Sequence, residues 1–241
     1  MIQPDNNQPL SPPEPSVRIV PWSLLDTWIA VGLLILLTIG LLVSATLLPS
    51  RELFQSVGIL FLELIYLLPV VIILGWKRIS WRHLGFGKFE PGIIGMGCVL
   101  VIAAYVFIIL HNLILTALGV DTQGEEILKL FAELDSPAWF ILVGGVFAPI
   151  VEEIFFRGFL FQGFRQRYGW IAGIVISSVI FAAAHFDLVA FIPTFMLGAV
   201  LAYIYHRSNS VWPGIILHVI NNAVALCAVL AATQLQDFIP A

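Results

Sequence analysis

Long apolar runs separated by short polar segments are the feature that most constrains how this chain can fold. A membrane-spanning helix needs about 20 mostly apolar residues, and seven runs come close to that length. They cover residues 24–48, 55–75, 92–119, 137–163, 170–187, 188–205 and 211–233. Because the runs are long and lack strict alternation, strands are not expected. The sequence therefore predicts an all-α fold, a polytopic transmembrane helix bundle with about seven spanning helices.

The composition agrees with a lipid environment. Hydrophobic residues make up 60% of the chain and charged residues 11%, against about 25% charged residues in a typical soluble domain. The net charge of −4 provides no basic surface for nucleic acid, so the expected partner is the lipid bilayer and not nucleic acid. Cys98 and Cys227 lie in apolar runs and predict no disulfide framework.

The chain divides into four segments. Residues 1–21 are polar and proline-rich and predict a disordered N-terminal tail. Residues 22–136 contain the first three helices, residues 137–233 contain the remaining helices and their polar motifs, and residues 234–241 form a C-terminal tail. A short amphipathic helix on the outer surface is predicted within 121–136.

The distribution of basic residues predicts the orientation in the membrane. With seven helices, most of them fall on one side: Arg18, Lys77, Arg78, Arg82, Lys88, Arg165, Arg167 and Arg207. The opposite loops contain Arg51 and Lys129 among several carboxylates. Because Lys and Arg accumulate in cytoplasmic loops, we expect the N-terminus to be cytoplasmic.

Ionisable side chains in the fourth run mark a candidate functional position, since each costs about 2.5–3.5 kcal/mol near the centre of a membrane helix. Glu153 and Arg157 are four residues apart and should form an ion pair on one helix face. Glu152 points about 100° away and has no partner on its own helix, which suits a general base. Pro149 lacks an N–H and should leave the carbonyl of Gly145 without its helical donor.

Imidazole and carboxamide groups lie in two other runs. His185 ends the fifth run, while His218 and Asn222 share a face of the seventh run with Asn221 nearby. Such groups can donate hydrogen bonds to a developing oxyanion, and a carboxylate with two imidazoles suffices to activate a water. Glu152, His185 and His218 are also a plausible zinc set.

Structural explanations compete with the catalytic one. A buried histidine in a membrane helix more often makes an interhelical hydrogen bond, and Glu63, His111 and Asn112 are assigned to that explanation. A transporter would also place ionisable residues in its spans, although the chain shows no inverted repeat. A non-enzymatic adaptor or bacteriocin immunity protein that retains the fold is the main alternative.

The predicted depths of the polar groups disagree with each other. Counting 1.5 Å per residue from the cytoplasmic ends places Glu152 and His185 about 20 Å deep, whereas His218 lies only about 10 Å deep. The sequence leaves this difference open.

Three motifs resemble those of the CPBP family, which comprises the type II CAAX prenyl endopeptidases and the related bacteriocin-processing or Abi proteins. Residues 152–158 read EEIFFRG and match EExxxR, residues 181–185 read FAAAH and match FxxxH, and residues 218–222 read HVINN and match HxxxN. The resemblance covers about residues 137–233. The HExxH, GxSG and GxGD signatures of other membrane proteases are absent.

The resemblance implies a hydrolase, an intramembrane endopeptidase whose Glu152 and His185 activate the water. It also implies that His218 and Asn222 form the oxyanion site.

By the same resemblance, Glu153 and Arg157 support the site. We expect no cofactor; the alternative is Zn²⁺ bound by Glu152, His185 and His218. The expected partners are peptides or proteins, either prenylated or membrane-associated. The expected location is multi-pass in the plasma membrane of a bacterium.

Overall fold

The computed structural model describes residues 19–47, 59–124, 127–128 and 137–236, and within these ranges the chain is helical and contains no strand. The predicted all-α class is confirmed. The α-helices are α1 Leu24–Leu47, α2 Ile59–Trp76, α3 Gly92–Ala117, α4 Pro137–Leu142, α5 Ala148–Glu152, α6 Gln162–Ala183, α7 Phe191–Ser208 and α8 Trp212–Gln236. A 3-10 turn, Trp81–Leu84, follows α2, and two π-helical segments, Val143–Phe147 and Glu153–Phe161, flank α5.

Four helical segments of the described residues are long and apolar enough to cross a membrane. They are Leu24–Ser44, Gly92–Ala117, Ala138–Ala183 and Trp212–Ala232, and Glu63–Trp76 is a shorter apolar helix. The predicted count of about seven is therefore not confirmed. One reason is that the 46-residue segment Ala138–Ala183 contains two of the predicted spans.

Gly169 separates these two spans. Its φ of 83° and ψ of 169° are not helical, and glycine adopts a positive φ without the steric cost of a Cβ atom. The chain then folds back on itself. Gly173 packs so closely against the preceding segment that a Cβ there would lie 3.0 Å from the backbone N of Arg165. The boundary predicted between residues 163 and 170 corresponds to this turn.

The apolar runs 170–187 and 188–205 adjoin directly, which predicts a tight corner near Phe186 and Asp187, and in the structure this corner lies between α6 and α7. Phe186 has a φ of 53°, and Asp187 Oδ1 accepts hydrogen bonds from Val189 N at 2.8 Å and Ala190 N at 3.0 Å. An Asp side chain that accepts from backbone N–H groups two and three residues ahead stabilises a tight turn. The corner therefore reverses the chain at the same end of the bundle where α3 finishes.

Hydrogen bonds tie several segments together at the opposite end, which we call the basic end. Lys77 forms an ion pair with Asp26 at 2.6 Å, and Val20 N donates to Gln166 Oε1 at 2.7 Å. Four more bonds join the segment after α2 to α6, to α7 and to the turn between α7 and α8: Gln162 Nε2 to His83 O, Tyr205 Oη to Leu84 O, Val211 N to Gly85 O and Ser210 Oγ to Gly87 O.

The buried core is centred on the second π-helix. Every residue from Glu153 to Phe161 is buried, and Trp22 stacks on Phe159 with ring centroids 4.8 Å apart. Residues 19–21 were predicted to belong to the disordered tail, but they lead directly into Trp22, which is buried in this core. The rest of the predicted tails, residues 1–18 and 237–241, and most of the amphipathic helix predicted over 121–136 lie outside the described residues.

Candidate active site

Glu152 is the last residue of α5 and lies between the two π-helical segments. A π-helix is rare and occurs mostly as a local widening at functional sites. In the first segment Ala148 N donates to Val143 O, five residues back. The partner of Gly144 O in this register would be Pro149, which has no N–H. The carbonyl that lacks a helical donor is therefore that of Gly144 and not, as an α-helical register predicts, that of Gly145.

Asn222 supplies the missing donor to Gly144. Its Nδ2 lies 3.2 Å from Gly144 O, so the HxxxN motif of α8 is joined directly to the helix that carries Glu152. The amide orientation is fixed by two further bonds. Tyr105 Oη donates to Asn221 Oδ1 at 2.9 Å, and Asn221 Nδ2 donates to Asn222 Oδ1 at 3.1 Å.

Glu153 and Arg157 form the predicted ion pair. Arg157 Nη1 lies 2.6 Å from Glu153 Oε1, and both side chains are almost completely buried. The second guanidinium nitrogen, Nη2, donates to Gly198 O on α7 at 3.2 Å. Glu153 Oε1 also receives His218 Nδ1 at 3.1 Å, a contact that the sequence did not predict. The ion pair consequently orients a histidine of the site.

Both histidines turn their Nε2 atoms toward Glu152. His218 Nε2 lies 3.6 Å from Glu152 Oε2, and His185 Nε2 lies 4.0 Å from Glu152 Oε1. His185 Nδ1 lies 2.8 Å from Phe181 O, and a carbonyl can only accept, so this nitrogen carries the proton. In the neutral ring Nε2 then has a lone pair directed at the Glu152 side of the cavity.

Phe181, the first residue of the FxxxH motif, organises the same groups. Its ring meets His185 and His218 edge-on, with centroid distances of 4.8 and 5.8 Å, and the Arg157 guanidinium carbon lies 4.4 Å above its centroid. A cation over an aromatic face is stabilised by the ring quadrupole. The spacing within this motif thus combines a backbone acceptor for His185 with an aromatic ring that packs against the Arg157 guanidinium.

The predicted difference in depth disappears because α8 begins inside the bundle. Val211, just before α8, is buried against Gly158, where a Cβ would lie 3.4 Å from Val211 Cγ1. Residue 218 is seven positions after residue 211, and Glu152 is six positions before Gly158, so both climb about 10 Å from one level. The depths counted from the predicted helix ends disagreed because the start of α6 extends further toward the basic end than the start of α8 does.

A cavity of about 410 Å³ contains the four predicted catalytic residues: Glu152, His185, His218 and Asn222 line it together. The structure thus brings them to one place, while their catalytic roles stay predictions. Its other polar lining comes from α2, α3, the segment after α3, α7 and α8: Glu63, Tyr105, Asn112, Gln123, Thr194 and Asn221.

Glu63 is not held by the interhelical hydrogen bond to which the sequence analysis assigned it. Its Oε2 is buried without a hydrogen-bond partner and the side chain lines the cavity. His111 contacts its own neighbour, with Nδ1 3.2 Å from Asn112 Oδ1. No motif distinguishes Glu63 or Tyr105 in the sequence, and only the packing of α2 and α3 against the later helices brings them to the site.

The described residues do not form a complete ligand set for the zinc alternative. Neutral imidazole nitrogens and a carboxylate are ligands that zinc accepts. Within the described ranges, however, no three His, Cys, Asp or Glu side chains are grouped so that they could hold a metal ion. We therefore derive no step through a metal.

Residues 134–224 match the family model of the type II CAAX prenyl endopeptidases of the Rce1-like family. The resemblance found in the three motifs is confirmed: this segment is Rce1-like. It includes all of the predicted site residues, together with both π-helical segments. The matched family is one of endopeptidases, and the long apolar helices agree with an integral membrane protein.

Two curated relatives resemble part of the chain. The protein named "Putative membrane peptidase YdiL" of Bacillus subtilis is 28% identical over 146 residues, 60% of this chain and 53% of the relative. An uncharacterized 24.3 kDa protein of Escherichia coli is 33% identical over 97 residues, 37% of this chain and 45% of that protein. The chain thus spans about half the length of these relatives, and no solved structure matches it.

Proposed function

We propose that this protein is an intramembrane endopeptidase of the CAAX protease type, in which Glu152 activates a water held in the cavity. The observation that carries the proposal is the position of Glu152 beside two imidazole Nε2 atoms at 3.6 and 4.0 Å. These distances exceed a direct hydrogen bond, but one water can bridge such groups. Glu152 and His218, together with the lone pair on His185 Nε2, then hold this water, which is the nucleophile.

The reaction needs one proton transfer in each direction. Glu152 takes a proton from the water as its oxygen attacks the peptide carbonyl carbon, and the carbonyl oxygen becomes an oxyanion. When the C–N bond breaks, Glu152 returns the proton to the leaving amine and is a carboxylate again. General acid–base catalysis of this kind contributes about 10²–10⁴-fold to a rate.

Asn222 is the oxyanion donor that requires no change of protonation. An amide NH₂ group has two N–H donors, and Gly144 O takes one of them, so the second is available to the substrate. His218 serves as a second donor when its Nε2 carries a proton. Its place between Glu152 and Glu153 allows both ring nitrogens to face a carboxylate.

The substrate is a peptide or protein segment that enters a largely apolar cavity; prenylated C-termini and membrane-bound leader peptides both meet this condition. The test uses the purified protein in liposomes with a farnesylated CAAX peptide and with apolar leader peptides, in water enriched in ¹⁸O. Hydrolysis should release two fragments, with ¹⁸O in the new carboxyl group. Protein-free liposomes are the control. A non-enzymatic membrane protein would leave every peptide intact.

A further inference from the structure

Glu63 is a carboxyl group of the cavity to which neither the three motifs nor the proposed reaction assigns a role. It lies on α2, three residues before Tyr66, and its side chain lines the cavity together with Glu152. The Oε2 atom of each carboxyl group is buried without a hydrogen-bond partner. A carboxyl group in an apolar helix costs free energy, and such residues mark functional positions in membrane helices. The position of Glu63 at the site therefore indicates a function there.

Tyr66 packs this face of α2 against the second π-helix. The centroid of its ring lies 5.8 Å from that of Phe155 and 5.5 Å from that of Phe156. Residues three apart on a helix are neighbours on one face, so Glu63 and Tyr66 point to the same side of α2. The charges of Glu63 and Glu152 act on each other, and both act on Tyr66. The two carboxyl groups thus lie within range of each other's charge.

The surroundings of the two carboxyl groups decide which of them is ionised. Neighbouring carboxylates in a poorly hydrated site repel each other, so one of them holds a proton. The positive charge of Arg157 acts on Glu152 as well as on Glu153, and His218 Nε2 lies 3.6 Å from Glu152 Oε2. No Lys or Arg is among the described residues that line the cavity. Glu152 is therefore the ionised member of the pair, and Glu63 is the protonated one.

We propose that Glu63 is a positioning residue, whose protonated carboxyl group donates a hydrogen bond through one water to Glu152 and holds that carboxylate ionised and oriented. A protonated carboxyl group has one O–H donor, whereas an ionised one only accepts. A single water can join two polar groups that do not touch. Glu152 needs such a donor because His185 Nε2 presents a lone pair to it. Glu63 transfers no proton in this role, which rests on the proposed peptidase function.

The protonation of Glu63 is tested by infrared spectroscopy, which needs no activity. The difference spectrum between the wild-type protein and Glu63→Gln, both in liposomes at neutral pH, should contain the C=O band of a protonated carboxyl group. The band should shift in D₂O. Glu90→Gln, which removes an exposed carboxyl group, is the matched control and should give no such band. Absence of the band from the Glu63→Gln difference spectrum would overturn the inference.

The role of the donor is tested by comparing Glu63→Leu with Glu63→Gln on a peptide that the wild-type protein hydrolyses. Glu63→Leu removes an unpartnered polar group from an apolar helix, so it should unfold at the wild-type temperature or above. It should nevertheless lower kcat by about 10–100-fold, the effect of losing a hydrogen bond to a charged group, with little change in KM. Glu63→Gln keeps an uncharged N–H donor and should restore most of the activity. Thr38→Val, at a buried position of α1 outside the cavity lining, is the control and should leave kcat unchanged.

Three results would contradict the positioning role. Full activity of folded Glu63→Leu would show that the donor is not needed. Equal losses in Glu63→Leu and Glu63→Gln would show that Glu63 transfers a proton. A lower unfolding temperature of Glu63→Leu, with a parallel loss of activity, would assign Glu63 to the stability of the fold. If the infrared band is as expected but the wild-type protein cleaves no peptide, the protonated Glu63 stands and the proposed peptidase function fails.

Discussion

Asn222 donates from Nδ2 to the carbonyl oxygen of Gly144 at 3.2 Å, at the position where the π-helical register and Pro149 leave that carbonyl without a helical partner. The bond couples the proposed oxyanion donor to the helix of the proposed base. It also turns the NH₂ group of Asn222 toward the first π-helical segment, so a change in that segment or in α8 should disturb the geometry of the site.

Removing the Asn222 amide should weaken stabilisation of the transition state. Asn222→Ala is expected to lower kcat by about 10²–10³-fold, the usual effect of losing one oxyanion donor, with a much smaller change in KM. The measurement is steady-state cleavage of a reporter peptide in liposomes. A KM effect with unchanged kcat would assign Asn222 to substrate binding.

Tyr105 should act through Asn222, because its hydroxyl fixes the orientation of Asn221. Tyr105→Phe is expected to lower kcat about tenfold, which corresponds to roughly 1.4 kcal/mol. In an Asn222→Ala background the same change should have no further effect. Tyr203→Phe is the matched control, since that hydroxyl contacts Arg207 at the basic end. Additive effects of the two changes would contradict a role through Asn222.

Arg157 compensates a buried carboxylate. Arg157→Ala should destabilise the protein by about 3–5 kcal/mol, as when one partner of a buried ion pair is removed, and should lower the yield of folded protein. Thermal unfolding in detergent measures the effect, with the exposed Arg207→Ala as control. The double change Arg157→Met/Glu153→Leu should recover part of the stability but not the activity. Normal unfolding of Arg157→Ala would show that the pair contributes little.

Gly198 allows α7 to approach Phe181. A Cβ at this position would lie 3.0 Å from Phe181 Cδ1 and 3.2 Å from Ser178 Cβ. Gly198→Ala should therefore displace the ring that contacts both histidines and destabilise the protein by about 1–3 kcal/mol. Gly95→Ala, on α3 with nothing within 4 Å of the added Cβ, is the control and should unfold normally. Equal stability of the two variants would contradict this packing argument.

Chelation tests the zinc alternative. If the carboxylate and imidazoles act on water alone, activity should survive incubation with a strong chelator followed by its removal. If zinc is required, the chelator should abolish activity and added Zn²⁺ should restore it, because bound metal is in exchange with competing ligands.

Much of the fold could be predicted because apolar runs and helix breakers are local signals. The break at Gly169, the corner at Asp187 and the Glu153–Arg157 pair all follow from nearest neighbours along the chain. The motifs likewise identified the four residues that meet in the cavity. The π-helical register was not predicted, and the bond from Asn222 to the carbonyl of Gly144 joins residues 78 positions apart, which leaves no local pattern.

Other features depend on packing between distant segments. The level at which α8 begins is set by the loop after α2, whose carbonyls bind Ser210 and Val211. The approach of Glu63 and Tyr105 to the site depends on how α2 and α3 pack against α5 and α8. Neither relation leaves a short-range pattern in the sequence.

The central claim is that Glu152 is the base. Glu152→Gln preserves size and polarity but cannot accept the proton of the water, so it tests the claim most directly. The measurement is the cleavage rate of a peptide that the wild-type protein hydrolyses, for folded protein matched by thermal unfolding. We predict normal unfolding and a loss of nearly all activity, at least about 10²-fold. Full activity of folded Glu152→Gln on the same peptide would contradict the account.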